Sequence, residues 1–406
     1  MSTFMLTDAA IERALAPDLD VAAPDDFTKQ IAQAIALKPR QSRLWVLIPA
    51  AWPRHMTLAA RMMLLMLLLI VLLVGAVAVA SLQHRAAANG HVIVARATEI
   101  VDVDPETGVS SILVTNRGYL FGVARSGDGS LISYWTSTID GTTLEIVSEN
   151  GDAVRQVATN VIPKPVGQGQ IDVWSPNGRS LAAGVKVGGQ ARILLVDISS
   201  GDGELIGPVG AENPLWSPDG QWLAFSHIRD GRSVLSVMHA DGTGPRDISG
   251  DLGDLDGSGT NNWSPDGAWI YFGAERDGFE ESHIYRARFD ANQAEQLTFD
   301  QTSAGPALSP DGTLVVYNRW GGEFGTNGLW IMDADGGNQH LLLADGNDDG
   351  WSNDGQFVLS EWRPPKGPYE LVTIRPDGSD KQTLMTFPER CVSLCAHDLA
   401  WGQPRP

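Results

Sequence analysis

The side chains best suited to chemistry in this chain are carboxylates gathered in two loops. DLGDLDGSGTNN begins at Asp251 and DGNDDG begins at Asp345. Oxygen-rich, glycine-containing loops are what Ca²⁺ takes as ligands, and Asp251, Asp254 and Asp256 form the candidate set, with Asp254-x-Asp256-Gly257 resembling a fragment of such a site. The twelve-residue calcium-loop pattern with its terminal Glu is missing, so a polar loop ahead of a strand accounts for the same residues. Apart from Ca²⁺, no cofactor is expected.

Cys391 and Cys395 form the chain's pair of cysteines, in CVSLC. An even pair in a loop outside the membrane reads as a disulfide. A metal site would need further ligands, and His397 alone stands near. The eight histidines are scattered, with His227, His239 and His283 at unrelated positions, and a structural role is expected for each. There is no GxSxG elbow, HExxH, Walker loop or dinucleotide-binding glycine fingerprint, so no catalytic residue is assigned.

What must position these loops is a word written repeatedly along the chain. WSPDGQWLAFS at Trp216 places a Pro-Asp-Gly turn ahead of an apolar strand. Pro218 pre-sets the backbone angle of the turn, Asp219 bonds its own backbone, and Gly220 accepts the positive φ that ends it. The same unit recurs at Pro176 and Gly178, at Pro265, Asp266 and Gly267, at Pro310, Asp311 and Gly312, and at Asp354 and Gly355, with a worn copy at Arg125. The turn glycines from Gly129 to Gly355 are spaced by 49, 42, 47, 45 and 43 residues, a period that marks a repeat architecture. About twenty residues after each turn, Asp241-Gly242, Asp335-Gly336 and Asp377-Gly378 make hairpins between apolar strands. Each repeat is therefore four antiparallel strands, a sheet too small to stand alone unless neighbours cover its faces.

This SPDG turn, followed by an aliphatic-aromatic strand and an Asp-Gly hairpin, resembles the WD-like repeats of the TolB family of β-propellers. The resemblance implies an all-β fold spanning residues 88–406 and, because TolB acts by contacting envelope proteins, a non-catalytic binding role. The chain departs from that family in carrying a long apolar segment where TolB proteins carry an α/β domain. The tryptophans Trp174, Trp216, Trp263 and Trp351 are expected to pack between blades.

The ends of the repeat region set the blade count. NGHVIVARATEIVDVDPETGVSSILVT, from Asn89, reads as second, third and fourth strands without a first, and HDLAW at the far end supplies a first strand without the rest. Together they complete a seventh blade, and closure by the strand around Trp401 covers edges that a ring would otherwise leave open. A six-bladed ring is the runner-up.

From Met62 to Ala80 the chain carries 19 residues without a charge, enough for a helix to cross the hydrocarbon core. A membrane helix over residues 61–82 is expected, with residues 1–60 as a short, partly helical or disordered cytoplasmic segment. Lys38, Arg40, Arg43, Arg54 and Arg61 precede the apolar run, which places the N-terminus in the cytoplasm and the propeller outside it. Cleavage at Ala78-Val79-Ala80 as a signal peptide is the alternative, against which stands the long leader.

The chain carries 49 acidic and 29 basic residues, a formal charge of −20. Six of those acids and seven bases lie in residues 1–61, so the acidity belongs to the propeller, which would repel nucleic acid. The expected partner is an envelope protein, peptide or glycan held at the propeller funnel, with the inner membrane reached through one helix. A hydrolase or lyase using a metal or carboxylates in the channel, and a sensor signalling through the N-terminal segment, remain open alternatives.

Overall fold

The computed structural model describes residues 91–96, 98–105, 107–162, 173–250, 252, 261–275, 281–299, 302–321, 327–387 and 399–401. The chain divides into two units, Met1–Gly75 and Ala76–Pro406, and every described residue lies in the second. The expected membrane helix, the cytoplasmic segment, Asp251, Asp254, Asp256, Cys391 and Cys395 all fall outside the described residues. Among the described residues no helix is long and apolar enough to cross a membrane.

The second unit is a seven-bladed propeller. Blade 1 runs through strands Tyr119–Arg125, Leu131–Thr138, Gly141–Ser148 and Arg155–Thr159. Blade 2 holds Ser180–Val187, Gln190–Asp197 and Gly203–Ile206, and its inner side carries two isolated bridges, Val161 to Val185 and Trp174 to Leu181. Blade 3 comprises Glu212–Trp216, Trp222–Arg229, Arg232–His239 and Arg246–Asp247. Blade 4 follows with Asn261–Trp263, Trp269–Glu275, Ser282–Arg288 and Ala294–Gln296. Blade 5 is Thr302–Leu308, Leu314–Trp320, Gly328–Asp333 and His340–Ala344, and blade 6 is Gly346–Trp351, Val358–Trp362, Tyr369–Ile374 and Gln382–Phe387. Within each of these six blades the strands pair antiparallel in chain order.

Blade 7 is the split one. Its innermost strand, Leu399–Trp401, pairs antiparallel with Val92–Arg96, setting Val92 opposite Trp401, Ile93 opposite Ala400 and Val94 opposite Leu399. Glu99–Val103 and Ser110–Thr115 complete the sheet. The seven-bladed ring therefore holds, and the six-bladed alternative, which left residues 89–115 outside, is overturned.

Period-two sequences give each blade two buried faces. In blade 3, Leu223, Phe225 and Met238 pack on Ala182, Ile193 and Ile206 of blade 2. Ala224, Leu235 and Val237 point the other way, onto Trp263, Ile270, Phe272 and Tyr285 of blade 4. Because both neighbours cover it, the strand Trp222–Arg229 has no solvated face along its middle, and Leu223, Ala224 and Phe225 are all fully buried.

The repeated turn is held by one hydrogen-bond circuit. Ser217 Oγ donates to Asp219 Oδ1 at 2.6 Å, the backbone N–H of Gln221 donates to the same oxygen at 3.0 Å, and the Trp222 N–H donates to Ser217 Oγ at 2.9 Å. Gly220, at φ 69°, closes the turn by donating its N–H to the Ser217 carbonyl. The serine-to-carboxylate bond recurs at Ser126–Asp128, Ser264–Asp266, Ser309–Asp311 and Ser352–Asp354, and Asn177 replaces the acid in blade 2. The worn copy at Arg125 thus builds the same turn without its proline.

These bonds favour the ionised carboxyl. The serine hydroxyl first, then the backbone N–H two residues on, hold Asp128, Asp219, Asp266 and Asp311 below the usual aspartate range. A carboxylate lowered in the folded state adds stability that is complete above the unfolded value of about 4 and is lost as pH falls through the folded value. The urea midpoint is expected to drop as pH falls from about 5 to about 3. Replacing the four acids with Asn, as blade 2 already does, should flatten that drop; a variant that follows the wild-type curve would show that other groups set acid stability.

One sequence expectation needs correction. DGNDDG is not a loop ahead of a strand: Gly346–Trp351 is itself the innermost strand of blade 6, pairing Asp348 with Ser360 and Trp351 with Val358. An innermost strand has a partner along one edge only and borders the channel with the other, so it can form without the continuous apolar run that marks strands covered on both faces.

Candidate functional site

The innermost strands bring the turn words to one end of the ring. There a cavity of about 270 Å³ spans blades 1 to 4 and is lined by Arg125, Trp174, Trp216, Trp263 and Asn262 together with the serine-proline corners of the turns. Four of these five residues stand just before a turn serine and the fifth, Asn262, is next to one of them, so the repeat itself carries them to the turn end of the ring.

The tryptophans are fixed there by their indole N–H groups. Trp216 donates to the Val173 carbonyl at 3.2 Å, Trp263 to Leu215 at 3.4 Å and Trp351 to Ala307 at 3.0 Å. Each acceptor is the residue just before the equivalent position of the preceding blade. Trp174 reaches the same place through a hydroxyl: its indole donates to Ser133 Oγ at 3.0 Å, which donates to the Ala124 carbonyl at 3.3 Å. The tryptophans are therefore blade-to-blade links as well as cavity wall, as their expected packing role implied. Arg125 and Leu308 take the same position in blades 1 and 5.

Bulges shape the inner strands near that position. The pairing register shifts within Tyr119–Arg125, Glu212–Trp216 and Thr302–Leu308, and in each the residue three before the strand's end has positive φ: Gly122 at 65°, Asn213 at 52° and Gly305 at 66°. Glycine and asparagine tolerate this left-handed geometry, which lets the strand bend as it meets the channel. Asn262 then reaches across to blade 5, donating through Nδ2 to the Pro306 carbonyl at 2.8 Å.

Two other places concentrate polar or apolar groups. On blade 3, His227 Nε2 lies 3.1 Å from Asp247 Oδ1, Ser236 Oγ donates to the same oxygen at 2.6 Å, and Arg229 pairs with the second oxygen. Burial, with Arg229 adding to it, pushes the His227 pKa down. Serine and histidine meet on one carboxylate rather than in series, so the cluster is not a relay that would activate a nucleophile. His239 stacks on Trp222 with ring centroids 4.1 Å apart, and His283 is buried. At the rim, a cavity of about 510 Å³ lies between blades 1 and 2 and is bordered by Val157, Lys186, Leu194 and Leu205.

The repeat-turn residues, from Pro176 and Gly178 through Asp354 and Gly355, lie in the turns that enter the second strand of blades 2 to 6. Among the described residues no group of three or more His, Cys, Asp or Glu could hold a metal. What sequence reasoning missed is Asn262, Trp222 and Phe289 as lining residues. Nothing in their local sequence marks them, because each reaches a cavity only through the neighbouring blade.

Comparison with known proteins agrees with this architecture. No curated protein matches the chain. Among solved structures, TolB from Acinetobacter baumannii is similar at 18% identity over 61% of this chain, with a TM-score of 0.46, and the match spans 62% of that protein's own length. An oligogalacturonate lyase in complex with manganese matches at 20% identity over 69% of this chain and 83% of its own, with a TM-score of 0.52. The β-propeller domain of the Trilobed protease from Pyrococcus furiosus matches at 13% identity over 74% and 96%, with a TM-score of 0.53. At such identities the lyase and protease likenesses, with TM-scores above 0.5, speak for fold alone. Residues 171–402 match the family described as TolB beta propeller domain, and the chain belongs to that family.

Proposed function

We propose that the chain is a binding or scaffold module of the cell envelope, a rigid ring that holds a protein or peptide at the turn-end mouth of its channel without transforming it. The observation that carries this reading is the mouth itself: a cavity of about 270 Å³ whose walls are tied blade to blade by the indole bonds of Trp174, Trp216 and Trp263 and so need no reorganisation to receive a partner. Family membership supports the same reading, since the repeat scaffold serves to present loops. The apolar run Met62–Ala80 would tether the ring to the inner membrane, with the N-terminus cytoplasmic and the propeller outside.

A photo-crosslinking residue at position 176 tests the mouth. Blades 1 and 6 have Gly127 and Asn353 at this turn position, so the turn does not require its proline. In intact cells a discrete adduct is expected from position 176 and none from position 154, an exposed valine on the outer side. Equal labelling at both positions, or none at either, would overturn the proposal. For the tether, protease added outside spheroplasts should degrade the propeller and spare the N-terminus; the reverse pattern would overturn the topology.

A further inference from the structure

A second cavity, of about 320 Å³, opens beside the mouth between blades 3 and 4 and shares Ser217, Pro218 and Trp263 with it. Its walls are aromatic. Trp222 and Phe289 meet edge to face with centroids 5.7 Å apart, and Trp263 and Phe289 lie 6.0 Å apart. Its rim is acidic, formed by the exposed turn residues Asp219 and Asp266. In each of these carboxylates Oδ1 serves the turn, and the same bonds keep the group ionised.

This combination occurs at one blade junction among the described residues. The position of Trp222 holds Leu131, Ser180, Trp269, Leu314 and Phe357 in blades 1, 2, 4, 5 and 6. The position of Phe289 holds Glu149, Ile198, Ala240, Ala334 and Pro376. The other tryptophan, Trp269, is covered by the Arg286 guanidinium at 4.4 Å. At the cleft itself, Arg246 lies 5.8 Å from both the Trp222 and Phe289 rings and donates to the Phe289 carbonyl, while Arg288 is held by Asp290 through two bonds of 2.9 Å. His239 also stacks on Trp222 with centroids 4.1 Å apart, so part of that ring is already covered. Trp222, Trp263 and Phe289 nonetheless line the cavity while His239 and the two arginines do not, and Arg246 demonstrates that these rings accept a planar cation.

We propose that this cleft binds an organic cation, a guanidinium or ammonium group presented as an arginine or lysine side chain by the protein seated at the channel mouth. The aromatic faces supply cation–π attraction and the two carboxylates supply charge. The side chain of a partner at the mouth would reach the cleft directly, because the two cavities share a wall. The inference rests on the reading of the ring as a binding module and adds the chemistry that the partner must offer.

The blades themselves provide variants that suit the fold: Trp222→Leu and Phe289→Ala place residues found at those positions in sister blades, and Asp219→Asn and Asp266→Asn copy Asn177. The full-length protein would be titrated with N-acetylarginine amide and, separately, with choline, followed by tryptophan fluorescence, with urea midpoints measured for every variant. Saturable binding of either cation is expected, weakened about tenfold in Trp222→Leu and in the double Asn variant, with tighter binding of the arginine probe marking a side chain as the source. Absence of saturable binding, or equal affinity in wild type and variants of unchanged midpoint, would overturn the cleft. If the position 176 adduct nonetheless persists, the cleft alone has failed and the binding-module reading stands; tighter binding of choline would overturn the assignment to a partner side chain.

Discussion

A chain ending before Leu399 is expected to lose about 4 kcal/mol of unfolding free energy, the largest effect anticipated for any small deletion. The strand Leu399–Trp401 is the only described partner on the inner edge of Val92–Arg96, and its pairing joins the last residues of the propeller to the first. Its removal frees backbone donors and acceptors at three paired positions, and each hydrogen bond contributes about 1 kcal/mol net. It also uncovers part of Val92, Ile93 and Val94, all fully buried in the closed ring, and burying one such side chain contributes about 1.5–3 kcal/mol. The edge left behind is long and apolar, so the truncated protein should also aggregate more readily. Urea unfolding monitored by tryptophan fluorescence checks the loss, and proteolysis should cut first within residues 91–115. A truncated chain with an unchanged midpoint would mean that the ring does not depend on this strand for closure.

Trp216→Ala is expected to cost about 4 kcal/mol, and Trp216→Phe about 1 kcal/mol. Trp216 is 8% exposed and packs with Ala182, Ile193, Leu223 and Phe225 across the junction of blades 2 and 3, so alanine leaves a cavity between two sheets that cannot collapse toward each other. Phenylalanine keeps most of the volume but removes the indole donor, leaving the buried Val173 carbonyl without that bond. Because each blade touches only its neighbours, the damage should stay local. Hydrogen exchange should quicken in blades 2 and 3 of the alanine variant while blades 5 and 6 keep their protection. Equal midpoints for the two variants would show that the lost indole bond, common to both, and not the lost packing volume accounts for the destabilisation.

The legibility of the site differs residue by residue. Pro218, Asp219 and Gly220 could be assigned from five letters, since a type of turn is decided by φ preferences and hydrogen bonds within those letters. The period places the tryptophans between blades, yet their hydrogen-bond acceptors, three carbonyls and one serine hydroxyl 41 to 48 residues earlier, could not be read. DGNDDG looked like a loop because its acids break any apolar alternation, and only pairing with Val358–Trp362 makes it a strand. Asn213 gave no sign of its positive φ, which the bulge against Trp222–Arg229 imposes.

The order of residues is enough for the local turns, the strand-and-hairpin repeat, the period and, through the complementary fragments at Asn89 and Trp401, a ring of seven. These depend on contacts within one blade or on counting, and the physics of a four-stranded sheet follows from residues close in the chain. Tertiary structure alone decided what stands between blades: the ladder of indole bonds, the channel mouth with Arg125 in a tryptophan's place, and the cleft where Trp222 and Phe289 face each other across 67 residues of chain. Such sites form at the meeting of two sheets, and no single repeat carries both halves of the contact that makes them.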